Sequence, residues 1–299
     1  MKTLISLAGA LILIGAAKES IVLQFALEEN KVYKQDVSIE NTIKQSFGMQ
    51  EMVVESSIRS STYFELVQRE ANGGLYDIWY ADLATESKMD GMEQNISSDD
   101  DSTPLGAVLG ALVEKKFQVE IDNKGEVGTV SGLEEILSEA MEGTDAAALP
   151  MAEMIETSYG EPGLIRNLEM TLNIFTDEKL KKGKQWKTTQ LSNSGFPLIL
   201  ETTFTLKSLE GGVLHIDVYS DISVDPDNAD TNLQGMDATI FLEGERKGSL
   251  EVEAATGWIL SGEYNDDIAG SIRLEDSAQF PEGLTVPLEI ASRIHIKGQ

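Results

Sequence analysis

Alternation of apolar and polar residues dominates this chain and predicts long β-strands. The clearest case is the segment Lys247 to Tyr264, in which Leu250 and Val252 alternate with polar residues before a turn at Ala254 to Gly257. Apolar residues alternate again on the way back from that turn. A related segment, Lys116 to Gly132, has the same form. We therefore predict that both segments are β-hairpins.

The C-terminal part of the chain carries the longest alternating runs. Even-numbered positions are mostly apolar or small from Trp258 to Leu274 and again from Leu284 to Ile296, whereas the opposite face of the second run is charged. Strands of this length exceed the usual five or six residues, and long antiparallel strands must twist and coil. The pattern predicts a mainly β (α+β) protein built on a long-stranded, curved antiparallel sheet or partial barrel.

The two halves of the chain resemble each other. Phe64-Glu65-Leu66 followed by Gly73 to Tyr80 is similar to Phe204-Thr205-Leu206 followed by Gly211 to Val218. Chance similarity between hairpins with glycine turns is the alternative explanation. We predict a signal peptide at residues 1–17, a first β repeat with an inserted helix at 18–132, a helical connecting segment at 133–185 and a second β repeat at 186–299.

The N-terminus has the composition of a secretory signal. Lys2 precedes an apolar run from Leu4 to Ile14, and the small residues Gly15 to Ala17 follow as a cleavage site. The alternative, a membrane anchor, would need an apolar run of roughly 20 residues. We predict export to the periplasm or the extracellular space, with no stable membrane span after removal of the signal.

A helix is predicted behind Ser102, Thr103 and Pro104, because the apolar residues that follow have helical spacing. These residues are Leu105, Val108, Leu109 and Leu112. Two roles are open for this helix: it completes the core, or it lies as a lid over a lipid-like ligand. The polar stretch before it, residues 85–103, is predicted to be an exposed loop.

The composition of the chain excludes several classes of chemistry. The chain has no cysteine, which excludes disulfides and thiol catalysis, and its net charge of −28 argues against binding to nucleic acid. The acidic segment Asp225 to Asp230 lacks the ligand spacing of a calcium loop. His215 and His295 are predicted to face solvent, and no catalytic motif accompanies them. We predict no cofactor, no metal site and no catalytic residues.

Several segments together resemble an uncharacterised family of exported, β-rich bacterial envelope proteins. They are the N-terminal signal, the Phe117 to Val127 hairpin, Trp186, the segment from Gly244 to Tyr264 and the strand from Val286 to Gly298. Many members of that family are similar to lipoproteins, and this chain differs from them in having no cysteine to carry a lipid. The expected architecture is also similar to the half-barrels of bacterial lipoprotein carriers, an analogy of fold alone.

These observations predict a non-enzymatic envelope protein that binds an apolar or lipid-like ligand, or a protein partner, on a concave sheet face. The predicted ligand-binding residues are Leu260, Ile272, Leu288 and Ile290. One alternative is a carboxylate-dependent hydrolase of an envelope or extracellular substrate, which would need two converging acidic residues in a cleft. Another is a structural or adhesive protein, for which long unprotected edge strands would be the sign. The sequence leaves the oligomeric state open.

Overall fold

The computed structural model describes residues 20–48, 50–141, 158–192, 196–233, 236–276 and 280–299. The protein is mainly β: 65% of the described residues lie in strands and 13% in helices. The described residues form one antiparallel sheet of thirteen strands, a separate two-stranded sheet and three helices. This confirms the predicted fold class. The predicted signal peptide at 1–17 and residues 142–157 of the predicted helical segment lie outside the described residues.

The strands and helices are defined here in chain order. The strands are β1 (Ile21–Leu23), β2 (Val32–Phe47), β3 (Gln50–Glu70), β4 (Gly73–Met89), β5 (Met92–Ser97), β6 (Phe117–Ile121), β7 (Val127–Ser131), β8 (Thr176–Leu180), β9 (Gln185–Ser192), β10 (Leu198–Glu210), β11 (Val213–Val224), β12 (Asp230–Leu233), β13 (Met236–Glu253), β14 (Ile259–Leu274) and β15 (Leu284–Gly298). The helices are α1 (Pro104–Leu112), α2 (Leu133–Met141) and α3 (Glu161–Leu172).

The large sheet has the strand order β7-β6-β4-β3-β2-β15-β14-β13-β11-β10-β9, with β5 beside β4 and β12 beside β13. Its neighbouring strands are antiparallel throughout. Over the described ranges the two end strands, β7 and β9, do not pair with each other, so the sheet stays open. Strand β1 pairs with β8 in the small sheet.

The strand registers of the two halves correspond closely. The β3–β4 hairpin has a bulge between Leu66 and Gln68, and the β10–β11 hairpin has its bulge at the equivalent place, between Leu206 and Ser208. The β6–β7 and β13–β14 hairpins also share a register shift just before their turns. The β3–β4 pairing has a further bulge, between Ser61 and Thr62, that the β10–β11 pairing lacks. Bulges are features that related units keep, and the internal repeat stays a prediction.

The turns of the two predicted hairpins both accept hydrogen bonds from the segment that follows β1. The backbone N–H of Phe25 donates to the carbonyl of Asn123 in the β6–β7 turn (2.9 Å), and that of Ala26 donates to Thr256 in the β13–β14 turn (2.8 Å). Gly257 has a φ of +73°, and a Cβ there would lie 2.2 Å from the carbonyl oxygen of Gln24. The two hairpins thereby fix the segment that follows β1.

The face of the large sheet that carries Phe64, Phe204 and Ile294, called here the interior face, has two apolar clusters. The main cluster includes β1, β8 and the buried residues of all three described helices. The second cluster comes from strands β10, β11 and β13 to β15. Its buried members are Leu198, Leu200, Ile222, Ala238, Ile240, Leu242, Ile268, Ile272, Leu274, Leu288 and Ile290.

Helix α1 completes the core. Thr103 caps it by accepting a hydrogen bond from the Gly106 N–H through its side chain (3.0 Å), and Pro104 begins it. Its buried residues Leu105, Val108, Leu109 and Leu112 all belong to the main cluster. The helix packs against α2, β4 and β5. This supports the first of its two predicted roles.

The prediction of a loop at residues 85–103 is wrong for most of that range. Strand β4 continues to Met89 and pairs with β3, and β5 then returns along β4. Asp90 and Gly91 form the connecting turn with φ values of 50° and 81°. An Asp-Gly pair accepts the positive φ angles of a two-residue hairpin turn. The polar composition reflects the exposed end of this hairpin.

Candidate functional site

A continuous row of polar side chains crosses the interior face between the two apolar clusters. Nine neighbouring strands, from β9 to β4 in sheet order, each contribute one residue, and adjacent members are directly paired in the registers. The row, called here the polar belt, consists of Thr188, Thr202, Ser220, Arg246, Asp266, Ser292, Asn41, Ser56 and Ser87. Directly opposed residues on antiparallel strands share a face, so the belt is a line of contacts.

Several belt residues hydrogen-bond with each other. The hydroxyls of Thr202 and Ser220 lie 2.8 Å apart, and both residues are buried. At the sheet edge the Thr188 hydroxyl donates to the Asn173 carbonyl (3.3 Å). The link between Asn41 Nδ2 and Ser56 Oγ is longer, at 3.4 Å. The belt is therefore tightly bonded in the second half and loosely bonded on β2 and β3.

The only charged belt residues form a bidentate ion pair. Arg246 Nε and Nη2 donate to Asp266 Oδ1 and Oδ2 at 2.7 and 2.8 Å, and the two residues are 9% and 7% exposed. Burial would lower the pKa of the Arg246 guanidinium, but the hydrogen bonds and charge of Asp266 outweigh this and raise it. The guanidinium also lies 5.1 Å from the centre of the Tyr264 ring. The pair is compact, and its charges cancel.

An apolar row runs beside the belt on the side of the second cluster. It contains Leu200, Ile222, Ile268, Ile290, Ile43, Val54 and Met89, with Gly244 among them. In strands β10, β11, β14 and β15 these side chains are buried, but Ile43, Val54 and Met89 on β2 to β4 are half-buried. Across the belt from them, Ile58 on the same face is 38% exposed. At the level of the belt and this row, the interior face is thus closed on β10, β11, β14 and β15 and open on β2 to β4.

Three of the predicted ligand-binding residues belong to the second cluster. Ile272, Leu288 and Ile290 are buried there, and Ile290 lies in the apolar row beside the belt. Leu260 occupies the β-bulge between Ile259 and Ser261 and packs against the main cluster. The structure brings the first three together and places Leu260 at the other end of β14.

Sequence reasoning missed the polar belt and the open residues of β2 to β4. A usable signal was present, because Asp266 and Ser292 interrupt the apolar faces of two otherwise regular strands. The sequence shows these interruptions separately. Only the strand registers show that they lie side by side across nine strands. One further polar atom on this face, Gln190 Nε2, is buried opposite Leu200 and has no hydrogen-bond partner.

The outer face carries an open trough of about 900 Å³. It is lined mainly by outward-facing residues of β2, β11 and β13 to β15. Its charged side chains are Lys44, Asp221, Glu243, Glu245, Asp267 and Glu289. His215 and His295 also lie on the outer face, beside Glu251 and Glu263, and their side chains are 39% and 46% exposed, as predicted. The described residues contain no cluster of side chains able to hold a metal ion.

These features define a class of protein: one built on a long-stranded, open antiparallel sheet with covering helices and an amphipathic interior face. The chain belongs to the family of unknown function DUF6263, whose model matches residues 75–259. That match runs from β4 to the beginning of β14 and crosses both predicted repeats. This agrees with the predicted resemblance to an uncharacterised family. No curated protein sequence matches the chain significantly.

A solved structure shows similarity of fold. A structure described as "Lipid-protein interactions in lipovitellin" aligns with a TM-score of 0.50 and 11% identity, over 91% of this chain and 25% of that one. The chain thus spans about a quarter of that lipovitellin chain, and at this identity the likeness concerns fold alone. DynF from the dynemicin biosynthesis pathway of Micromonospora chersina aligns over 95% of this chain and 86% of its own, at 7% identity and a TM-score of 0.23. None of the helices within the described ranges is long and apolar enough to cross a bilayer.

Proposed function

We propose that this protein is an exported, non-enzymatic binder of an amphipathic, lipid-like ligand on its interior sheet face. The observation that carries the proposal is the polar belt beside an apolar row, open to solvent on β2 to β4. An amphipathic ligand would place its polar group along the belt and its apolar chain along the row. The export part of the proposal rests on the signal-like sequence at residues 1–17.

The apolar residues on the open side offer a surface for such a chain. Ile43, Val54 and Met89 continue the row from Ile290 without a break, and each is half-buried. Burial of apolar surface contributes roughly 25 cal/mol for each Å² removed from water. A hydrocarbon chain lying along these side chains would therefore be stabilised without any new charged contact.

The second cluster borders the same surface. No residue of a described helix belongs to it, and its partly buried neighbours come from strands and loops, among them Phe196, Met236 and Phe280. Ile43 packs against this cluster, so a ligand chain on the open row would reach the edge of the cluster there, whereas the predicted residues Ile272 and Leu288 are buried inside it. The fold similarity to lipovitellin, a protein described for its lipid–protein interactions, is compatible with this use.

The alternative functions have weaker support. The trough collects carboxylates, but Asp221, Glu243, Asp267 and Glu289 are exposed on a polar face, and nothing there marks a reacting pair. For an adhesive role, the end strands β7 and β9 have five and eight residues, compared with 21 for β3. Short edge strands limit pairing with other chains. The interior face remains the better candidate.

The test compares two substitutions on adjacent serines of β3. Ser56 belongs to the belt, whereas Ser57 points to the outer face, and both are half-buried. The Ser56→Trp side chain would fill the open part of the interior face, so binding of the uncharged apolar dye N-phenyl-1-naphthylamine should weaken by about tenfold or more, equal to about 1.4 kcal/mol. Ser57→Trp should bind the dye as the unmodified protein does. Fluorescence titration measures both, and circular dichroism checks that both variants fold.

Two results would refute the proposal. One is the absence of saturable dye binding to the folded, unmodified protein. The other is an equal effect of Ser56→Trp and Ser57→Trp, since it would place the binding site away from the interior face.

A further inference from the structure

We infer that the polar belt selects a lipid with an uncharged, hydroxyl-bearing headgroup, such as a monoacylglycerol, over a lipid with an anionic headgroup. This inference rests on the proposed function and specifies its ligand class. It follows from which belt groups remain available to a ligand, from the charges on the interior face and from the net charge of the chain.

The accessible part of the belt is uncharged. Ser292, Asn41, Ser56 and Ser87 occupy four neighbouring strands and are half-buried. Hydroxyl and amide groups both donate and accept hydrogen bonds, which suits alcohol and ester groups.

Among the described residues, the interior face offers no free cation near this part of the belt. Arg246 is the one cation of the belt, and its guanidinium already donates two hydrogen bonds to the Asp266 carboxylate. Between the belt and the second-cluster end of the described strands, the remaining cations are Lys44, Lys88 and Arg273, which the registers place on the outer face. Moving a carboxylate or phosphate into a partly desolvated site without a paired cation is costly. The net charge of −28 opposes the approach of an anion as well.

The test uses two probes with the same oleoyl chain, 1-monooleoylglycerol and oleate, each below the concentration at which it aggregates. Both compete with N-phenyl-1-naphthylamine at pH 8 in the unmodified protein. We expect 1-monooleoylglycerol to bind about tenfold more tightly or better, a difference of about 1.4 kcal/mol. Equal or tighter binding of oleate would overturn the inference.

A charge substitution sharpens this test. Asn41→Lys places an ammonium group on the open belt, and Thr42→Lys places the same charge on the outer face one residue away; both native residues are half-buried. We expect Asn41→Lys to raise the affinity for oleate about tenfold and to weaken binding of 1-monooleoylglycerol, because the amide that would contact its headgroup is lost. Thr42→Lys changes the net charge equally and should leave the preference unchanged. An equal response of the two variants would overturn the inference, because it would show a long-range effect of charge.

The outcomes separate the two claims. If the dye and both lipids fail to bind, the proposed function fails. If the dye binds and Ser56→Trp blocks it while oleate binds as well as 1-monooleoylglycerol, the proposed function stands and the headgroup inference fails.

Discussion

At the scale of single residues, the Arg246–Asp266 pair is the most constrained polar feature of the interior face. Both side chains are removed from water, so the cost of desolvation offsets much of their attraction. Arg246 and Asp266 satisfy each other's hydrogen-bonding groups and charge. The polar belt can therefore run between two apolar clusters without a buried, unpaired charge. Its energetic role is therefore best revealed by comparing single and double substitutions.

We expect Arg246→Met alone to lower the free energy of unfolding by about 3 to 5 kcal/mol, because it leaves the Asp266 carboxylate buried without its partner. The double variant Arg246→Met/Asp266→Leu should recover most of this loss. Urea unfolding followed by circular dichroism measures both. A single variant as stable as the unmodified protein would contradict the description of the pair as buried and mutually satisfied.

Asp36 gives a prediction about pH. Partial burial would raise the pKa of its carboxyl group, but the hydrogen bonds from Lys34 and from Ser61 (2.5 Å) hold the pKa below its ordinary value of 3.8. A lowered pKa in the folded state stabilises the protein above pH 3.8, and this contribution is lost as the pH falls below that value. Asp36→Asn should lower stability at neutral pH and flatten its decline in acid. Urea midpoints from pH 7 to 3 test this, and an unchanged acid decline would contradict it.

At the scale of elements, the hairpins are what the sequence predicts best. The β6–β7 and β13–β14 hairpins lie where the alternation of residues and the glycine turns predict them. In a half-buried antiparallel strand, apolar and polar residues alternate with a period of two that is visible in the sequence. The β4–β5 hairpin was missed, since its side chains are polar and its Asp90-Gly91 turn was the only strong signal. The hydrogen bonds between the two hairpin turns and the segment after β1 join residues that are far apart in the sequence. The alternation of apolar and polar residues does not reveal such contacts.

A pair of glycine substitutions tests the contact between the β13–β14 turn and the segment after β1. Gly257 and Gly211 both have positive φ angles, 73° and 59°, so alanine at either position should cost roughly 1 to 2 kcal/mol. A Cβ at Gly257 would also collide with the Gln24 carbonyl, whereas nothing lies within 4 Å of one at Gly211. We therefore expect Gly257→Ala to be clearly more destabilising in urea unfolding. Equal losses would argue against a tight contact between this turn and the segment after β1.

At the scale of the whole molecule, the interior face is buried over most of the sheet and open along the belt and the apolar row on β2 to β4. The sequence predicted the long strands and the resemblance between halves, and it selected Ile272, Leu288 and Ile290 on the correct face. It could not reveal the polar belt, because the belt is a lateral alignment and single strands show only isolated polar interruptions such as Ser292. The open region at Ile43 and Val54 likewise depends on which strands the helices cover.

The central claim is that an amphipathic ligand lies on the interior face along the polar belt. A crystal structure of the protein grown with 1-monooleoylglycerol tests it most directly. We predict electron density for the headgroup within hydrogen-bonding distance of the Asn41 and Ser56 side chains, with the acyl chain along Ile43, Val54 and Met89. Density only in the outer trough, or an interior face without lipid at saturating ligand, would contradict the claim.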